Sequence, residues 1–521
     1  METRYYGLRG KKLLRFMLYA IVFPVYLWFG YNNGVAGGLL TLESFTDTFP
    51  AIDTVHTTGS VKDHQATVQG TVVALYTVGC AVGSLSCIVI GDKLGRLRTG
   101  FIGSIIGIVG AVLQASAYQL PQLIVGRVVS GIGFGAVTAT IPVWQAECST
   151  AEHRGAFVVM QSLIISIGLF ISQYLDLGLY FVDSSASWRF PLAFPSIFGL
   201  IIVTLILKCP ESPRWLIKMG RIEDAKHVLA ALNDLPVDDP QVIDNVHNVQ
   251  MSLEETGKGR FRDIFTNGPN RIGHRALLAS GLQMFMQMCG INVIGFYCGT
   301  LFEEYIGLTP VVSRVLSACT FTFQGVCSLF AIYTIDRLGR RKLLLGSALG
   351  MGLCMVALAA SVAYADQQGP AIVASVFIFL FTAFFPQGYL GIPFLYATEV
   401  SPLAHRVPIS GIATATSWAF NFLVAEVTPV AFSNIGYQYY IVYAVINLCL
   451  IVPSIYFLFP ETKGRPLEEM DLIFLRSRNI FDPVKVARSL DLRGSQDSIL
   501  VSEEKVARSS MEKQEVSVQY T

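Results

Sequence analysis

Twelve apolar runs, each long enough to cross a bilayer, divide this chain, and no other feature restricts its fold so tightly. They lie at 14–36, 66–90, 98–118, 121–145, 156–178, 187–207, 273–300, 309–334, 342–364, 371–396, 407–431 and 437–458. A helix needs about 20 apolar residues to cross ~30 Å of hydrocarbon. Inside lipid a lone run of this length can satisfy its own backbone only as a helix. Composition leads the same way. The 521 residues are 52% hydrophobic and 14% charged, with a mean hydropathy of +0.52. Soluble domains carry roughly 25% charged residues, so the apolar surplus has to face lipid rather than a single core. The expected fold class is an all-α membrane protein of twelve transmembrane helices. A net charge of +1 offers no basic field for nucleic acid.

The ten cysteines sit in or beside apolar stretches, and none is spaced as CxxC. They are read as small packing residues rather than as a disulfide framework or zinc site. Lys11, Lys12 and Arg15 stand before and at the start of the first run, which lacks a small-residue cleavage site, so this span is expected to be retained. Lys93, Arg96 and Arg98 follow span 2, and Arg337, Arg340, Arg341 and Lys342 follow span 8, while the loops after spans 3, 9 and 11 are nearly free of basic residues. That asymmetry places both termini in the cytoplasm. The expected organisation is a cytoplasmic N-terminus (1–13), a six-helix half (14–207), a cytoplasmic linker (208–272), a second six-helix half (273–458) and a cytoplasmic tail (459–521). Helical periodicity from Arg221 to Leu232 predicts amphipathic helix in the linker. The polar tail is expected to be mostly disordered after 476.

The two halves repeat. Asp92-Lys-Leu-Gly-Arg-Leu-Arg98 returns as Asp336-Arg-Leu-Gly-Arg-Arg-Lys342. Glu147 stands seven residues before Arg154, and Glu399 seven before Arg406. Pro210-Glu-Ser-Pro-Arg214 returns as Pro460-Glu-Thr-Lys-Gly-Arg465. All three pairs keep nearly the same offset and order. Parallel six-span repeats make a secondary-transporter architecture with its site at the midplane. No phosphate-binding loop is present for ATP, and no Ser/His/Asp or metal constellation falls in register, so neither an enzyme nor a cofactor is expected.

On these paired motifs the chain resembles the sugar porter family of the major facilitators, over about residues 10–470. Gly10-Lys-Lys-Leu13, Val68-Gln-Gly-Thr-Val-Val73, Pro142-Val-Trp-Gln-Ala-Glu147, Ser187-Trp-Arg-Phe-Pro191 and Pro393-Phe-Leu-Tyr396 bring it nearer to fungal sugar and polyol permeases. The resemblance implies alternating-access transport of a small polyhydroxylated solute by a monomer in the plasma membrane.

The carboxylate–arginine sets fall at cytoplasmic helix ends: Asp92, Arg96, Glu147 and Arg154 in one half, Asp336, Arg340, Glu399 and Arg406 in the other. A guanidinium fork bonds two oxygens at once and can bridge two helices. Such pairs would latch the halves together when the cavity opens outward; in the resembling family these positions form the cytoplasmic gate. Arg127, after Gly126, is assigned to the same network.

A sugar needs amide donors and acceptors in a dry cleft beside an aromatic face. Span 7 supplies Gln283, Gln287 and Asn292, spaced to share roughly one helix face. The pattern Gln287-x-x-Gly290-x-Asn292-x-x-x-x-Tyr297 resembles the family's sugar-binding span, with Met286 in place of a second glutamine. By the same resemblance Gln161 stands one residue before the span-5 glutamine position, held here by Ser162. Gln324 takes the span-8 asparagine position. Pro386 and Phe394 take the span-10 glutamate and tryptophan positions, while Trp418 and Asn421 keep the span-11 pattern.

Proton-coupled members carry an aspartate in span 1 where this chain reads Gly30-Tyr31-Asn32-Asn33-Gly34. The amide of Asn32 cannot titrate, so facilitated diffusion is expected. A proton co-substrate would have to use Asp176 or Glu426. A proton symporter, an exporter of a sugar-like or secondary metabolite, and a sugar sensor are the rival readings.

Overall fold

A computed structural model describes residues 4–489, apart from 55, 150–153, 257–263, 265–267, 269, 365–367, 403–404 and 466. Twelve long helical elements follow the twelve apolar runs. We label them α1 (Gly10–Leu39), α2 (Gly59–Leu94), α3 (Arg96–Ala115), α4 (Leu120–Cys148), α5 (Arg154–Leu179), α6 (Ala186–Lys208), α7 (Ile272–Glu303), α8 (Pro310–Leu338), α9 (Arg340–Val362), α10 (Gly369–Val400), α11 (Arg406–Ile435) and α12 (Gln438–Leu458). Eleven of the described helices are long and apolar enough to cross a membrane, and α11 is a further helix of 30 residues.

Their pairing repeats. In the first half α3 packs on α4, α2 on α4, α1 on α5 and α3 on α6. In the second half α9 packs on α10, α8 on α10, α7 on α11 and α9 on α12. Each pairing reappears six helices later. Two cross-half interfaces, α2 against α11 and α5 against α8, are related in the same way, and α1 meets α7 between them. Small residues allow the close crossings: a Cβ on Gly30 of α1 would lie 1.9 Å from the carbonyl oxygen of Ile165 on α5. Without a hydrophobic drive between helices in lipid, such close backbone contact is what holds them together. Large apolar side chains remain exposed at helical spacing, as Val82, Leu85 and Val89 on α2 and Leu349, Leu353 and Val356 on α9. In water such stripes would be a liability; here they are the lipid-facing surface.

Spans α7 and α10 are broken near the chamber. α7 stops at Met288 and restarts at Ile291, with Gly290 at φ +105°, a backbone conformation that favours glycine. α10 divides into Gln368–Gly388 and Ile392–Val400. The linker contains helices Pro213–Lys218, Ile222–Asn233 and Pro240–Thr256. Arg9, just before α1, pairs with Asp234 at 3.3 Å and donates to the Leu235 carbonyl, which docks the linker against the first span.

The tail departs from expectation. A helix spans Leu467–Arg476, and residues 482–489 are helical again. Asp482 accepts from the backbone N–H of Arg478 and Asn479, and Val484 and Ala487 are buried. Disorder beginning at 476 is therefore incorrect for 477–489: a carboxylate that ties down the preceding turn and two buried apolar anchors are concealed by average composition. Residues 490–521 lie outside the described residues.

Candidate functional site

A cavity of about 520 Å³ lies between the two halves. From the first half come Phe29 and Asn33 of α1 with Ile165 and Leu169 of α5. From the second come Met286, Gln287, Ile291 and Gly295 of α7, Phe321 and Gln324 of α8, Phe385, Leu390 and Phe394 of α10, and Asn421 of α11. The break at Gly290 shapes it. Past the break Asn292 turns its amide back to Gln287, with Nδ2 donating to Oε1 at 2.6 Å. That same oxygen accepts from Asn421 Nδ2 at 3.3 Å, while Gln287 Nε2 donates to Ser417 Oγ at 2.7 Å. Gln287 is thus the hub of a buried amide network. Phe29 packs on Trp418 at 5.7 Å and on Phe394 at 6.5 Å between ring centroids, so aromatic rings from both halves close one end of the space. At the other end α1 and α7 touch, where a Cβ on Gly37 would lie 2.5 Å from the Phe296 carbonyl oxygen. The arrangement is a mixed polar and aromatic chamber, narrowed at both ends.

The expected residues divide accordingly. Gln287, Gln324, Phe394 and Asn421 line the chamber, and Asn292 reaches it through Gln287. The single-face argument for span 7 is corrected, because the helix is not continuous between 287 and 292. Gln283 is buried off the lining. Gln161 points away and donates to Gln145 Oε1 at 2.9 Å, leaving the α5 wall apolar. Trp418 supports the lining from behind, against Phe29 and Phe134. Asn33 was missed beside Asn32, although the doubled asparagine in an apolar span was the available signal. Asn32 itself lies off the chamber and donates to Tyr76 Oη at 2.6 Å.

The charged sets occupy one side of the bundle. Arg96 bridges three helices: Nη1 donates to the Gly91 carbonyl of α2, and Nε and Nη2 bond Glu147 of α4 at 3.2 and 3.3 Å. Arg340 does the same, bonding the Ile335 carbonyl of α8 and Glu399 of α10 at 3.4 and 3.3 Å. Both pairs join helices of the same half. In this conformation they brace each half internally. Arg406 is buried at the start of α11. The side chains of Asp92, Arg154 and Asp336 lie outside the described residues.

The third repeated motif supplies a role that the sequence did not reveal. Glu211 accepts from the backbone N–H groups of Arg96 and Leu97 at 3.2 Å, and Glu461 from those of Arg340 and Arg341 at 2.9 and 3.1 Å. Each carboxylate caps the exposed N–H groups at the start of α3 or α9 and meets the positive end of that helix. The capping positions are Gly95 and Gly339, both at φ +88°, where a Cβ would come within 2.7 and 2.6 Å of the respective carboxylate. The glycine admits the glutamate from a distant loop. Burial pushes the Glu211 carboxyl above its usual range, while these N–H groups and Arg96 pull it back. Among the described residues no cluster of His, Cys, Asp and Glu is placed to hold a metal.

Comparisons with known proteins follow the same lines. The family profile described as "Sugar (and other) transporter" matches residues 17–474. The sugar transporter STL1 of Saccharomyces cerevisiae is 35% identical over 482 residues, covering 91% of this chain and 84% of its own. The MFS-type transporter oryC of Aspergillus oryzae is 36% identical over 514 residues, covering 97% and 93%. Among solved structures, the proton:xylose symporter XylE bound to 6-bromo-6-deoxy-D-glucose superposes with a TM-score of 0.76 at 23% identity, covering 89% of this chain and 100% of that one. The profile spans the bundle from α1 past α12, and the fold carries the same two halves, so this chain is an integral membrane transporter, not an enzyme, and belongs to the sugar transporter family of the major facilitators.

Proposed function

We propose that the protein moves a monosaccharide or polyol across the plasma membrane by alternating access, with both termini in the cytoplasm. The observation that carries this reading is the chamber between two pseudo-symmetric halves, lined by the Gln287 amide network and Phe394 of the second half and by Phe29 of the first. Amides can donate to and accept from hydroxyls, and an aromatic ring takes the C–H face of a sugar. The relatives include the sugar transporter STL1 and the hexose transporter HXT13 of Saccharomyces cerevisiae. Uptake of labelled hexoses, pentoses, polyols, sugar acids and disaccharides in a transporter-null yeast tests it; no uptake from any of these classes would overturn it.

Gln287→Ala is expected to raise the apparent KM roughly tenfold or more. Deleting the amide leaves a buried hydroxyl of the bound solute without its partner, at about 1–3 kcal/mol. A KM unchanged for every accepted substrate would remove span 7 from the binding site.

Transport is proposed to be facilitated diffusion. Asn32 is an uncharged amide bonded to Tyr76, and its cavity also holds Arg127. A protonophore is expected to leave initial uptake of a non-metabolised substrate unchanged. Asn32→Asp is expected to introduce pH dependence, because a carboxylate beside that guanidinium could titrate during the cycle. One observation favours a proton-coupled second reading: Asp176 is 3% exposed, has no partner on either oxygen, and lines a cavity with Arg314. Accumulation above the outside concentration that collapses with protonophore would decide for that reading. Asp176→Asn and Glu426→Gln would then locate the carrier.

A further inference from the structure

We propose that a cavity inside the first half, between Arg127 of α4 and Asn32 of α1, binds a small monovalent anion, chloride under cellular conditions. The cavity measures about 330 Å³ and lies off the sugar chamber. The adjacent residues Asn32 and Asn33 project about 100° apart around one helix, so one lines this cavity and the other the chamber.

The charge balance carries the argument. Arg127 is 6% exposed, and its Nε has no partner. Among the described residues no hydrogen bond or ion pair to its guanidinium is found. Guanidinium remains charged at working pH and has only donors to offer. A charge buried without a partner is among the costliest arrangements a protein can hold. Three other buried arginines have found an oxygen: Arg96 and Arg340 bond carboxylates, and Arg314 bonds the Gly38 carbonyl and Thr41 Oγ1 at 2.7 and 2.6 Å.

The walls supply no counter-charge. The polar side chains around the cavity are Asn32, Tyr76, Gln114 and Ser130, all neutral. The titratable groups that act on Arg127 are the hydroxyls of Tyr76 and Tyr297. Asp176 lines a different cavity with Arg314. The remaining surroundings favour an anion. Ser130 presents a hydroxyl, and the Asn32 amide, with one hydrogen on Tyr76, has a second to offer. Val35, Ala111, Leu192 and Pro195 supply the apolar part of the wall. A buried guanidinium, a hydroxyl and an amide N–H around one cavity form an anion site. The small volume behind α1 suits a halide rather than the carboxylate of a larger solute.

The test needs no substrate, so its failure is distinct from failure of the sugar reading. The full-length protein is purified in detergent, and its melting temperature is compared in chloride, bromide and methanesulfonate at equal ionic strength. Chloride and bromide are expected to raise it by about 2 °C or more over methanesulfonate, and bromide is expected to give anomalous density beside Arg127. Asn32→Asp places a carboxylate in the cavity. It should abolish the halide response and be as stable in methanesulfonate as the unsubstituted protein in chloride. Arg127→Gln should also lose the response; if that variant does not fold, Asn32→Asp decides alone. Equal melting temperatures in all three salts, or a full halide response retained by Asn32→Asp, would overturn the site.

Discussion

Gly37→Val is expected to abolish transport while leaving the protein folded and in the membrane. Gly37 sits where α1 of one half meets the second segment of α7 in the other, and a Cβ there would lie 2.5 Å from the Phe296 carbonyl oxygen. That oxygen is backbone and cannot swing away. The clash falls between the halves rather than within one, so each half can fold normally but the pair cannot close over the chamber at this end. A steric penalty of ~2 kcal/mol or more shifts a two-state equilibrium by over an order of magnitude. Uptake should therefore fall at least roughly tenfold. An Asn33→Cys reporter in the chamber should gain reactivity toward a membrane-impermeant maleimide added outside. The control is Gly30→Ala, whose Cβ would meet the Ile165 carbonyl at 1.9 Å inside the first half; that variant should fail to fold. Normal uptake by Gly37→Val would show that the α1–α7 contact is not a moving gate.

Arg340→Ala is expected to cause a large loss of stability, about 3–5 kcal/mol, the usual cost of removing one partner of a buried ion pair. The side chain joins α8, α9 and α10 through the Ile335 carbonyl and Glu399, and both partners of the pair are largely buried. Without it Glu399 retains Thr462 Oγ1 at 2.6 Å as its partner while its negative charge stays in place. Glu399→Gln should be milder, since the amide keeps an oxygen for Arg340. Thermal unfolding in detergent measures both, and Arg340→Ala melting with the unsubstituted protein would refute the bracing role. The same ordering is expected for Arg96→Ala and Glu147→Gln in the other half, because Arg96 holds Gly91 and Glu147 in the equivalent geometry.

Sequence periodicity carried the helical reading of Arg221–Leu232, where the helix Ile222–Asn233 lies, because an amphipathic face repeats locally. Average composition failed for 477–489, where the Asp482 carboxylate ties down the turn before a helix that buries Val484 and Ala487. Among the candidate site residues, Gln287, Gln324, Phe394 and Asn421 were legible as polar or aromatic side chains in apolar spans. Gln161 had the same signature and faces Gln145 instead. Residue type marks a side chain that needs a partner inside a membrane; it does not say whether a neighbour in the same half or the chamber provides one.

The amino-acid sequence by itself determined that this chain spans a membrane in two repeated halves, because apolar length, backbone satisfaction in lipid and motif repetition are local properties along the chain. It also marked Gly95, Gly339, Glu211 and Glu461 as equivalent pairs. Only the tertiary structure decided what those pairs do. Each glutamate caps a helix whose sequence neighbours lie over a hundred residues away. Likewise, only packing shows that the arginine–glutamate pairs stay within their halves and that Asn33, not Asn32, faces the chamber. Those outcomes depend on helix rotation and on which backbones approach closely, and both are set by contacts between segments far apart in sequence.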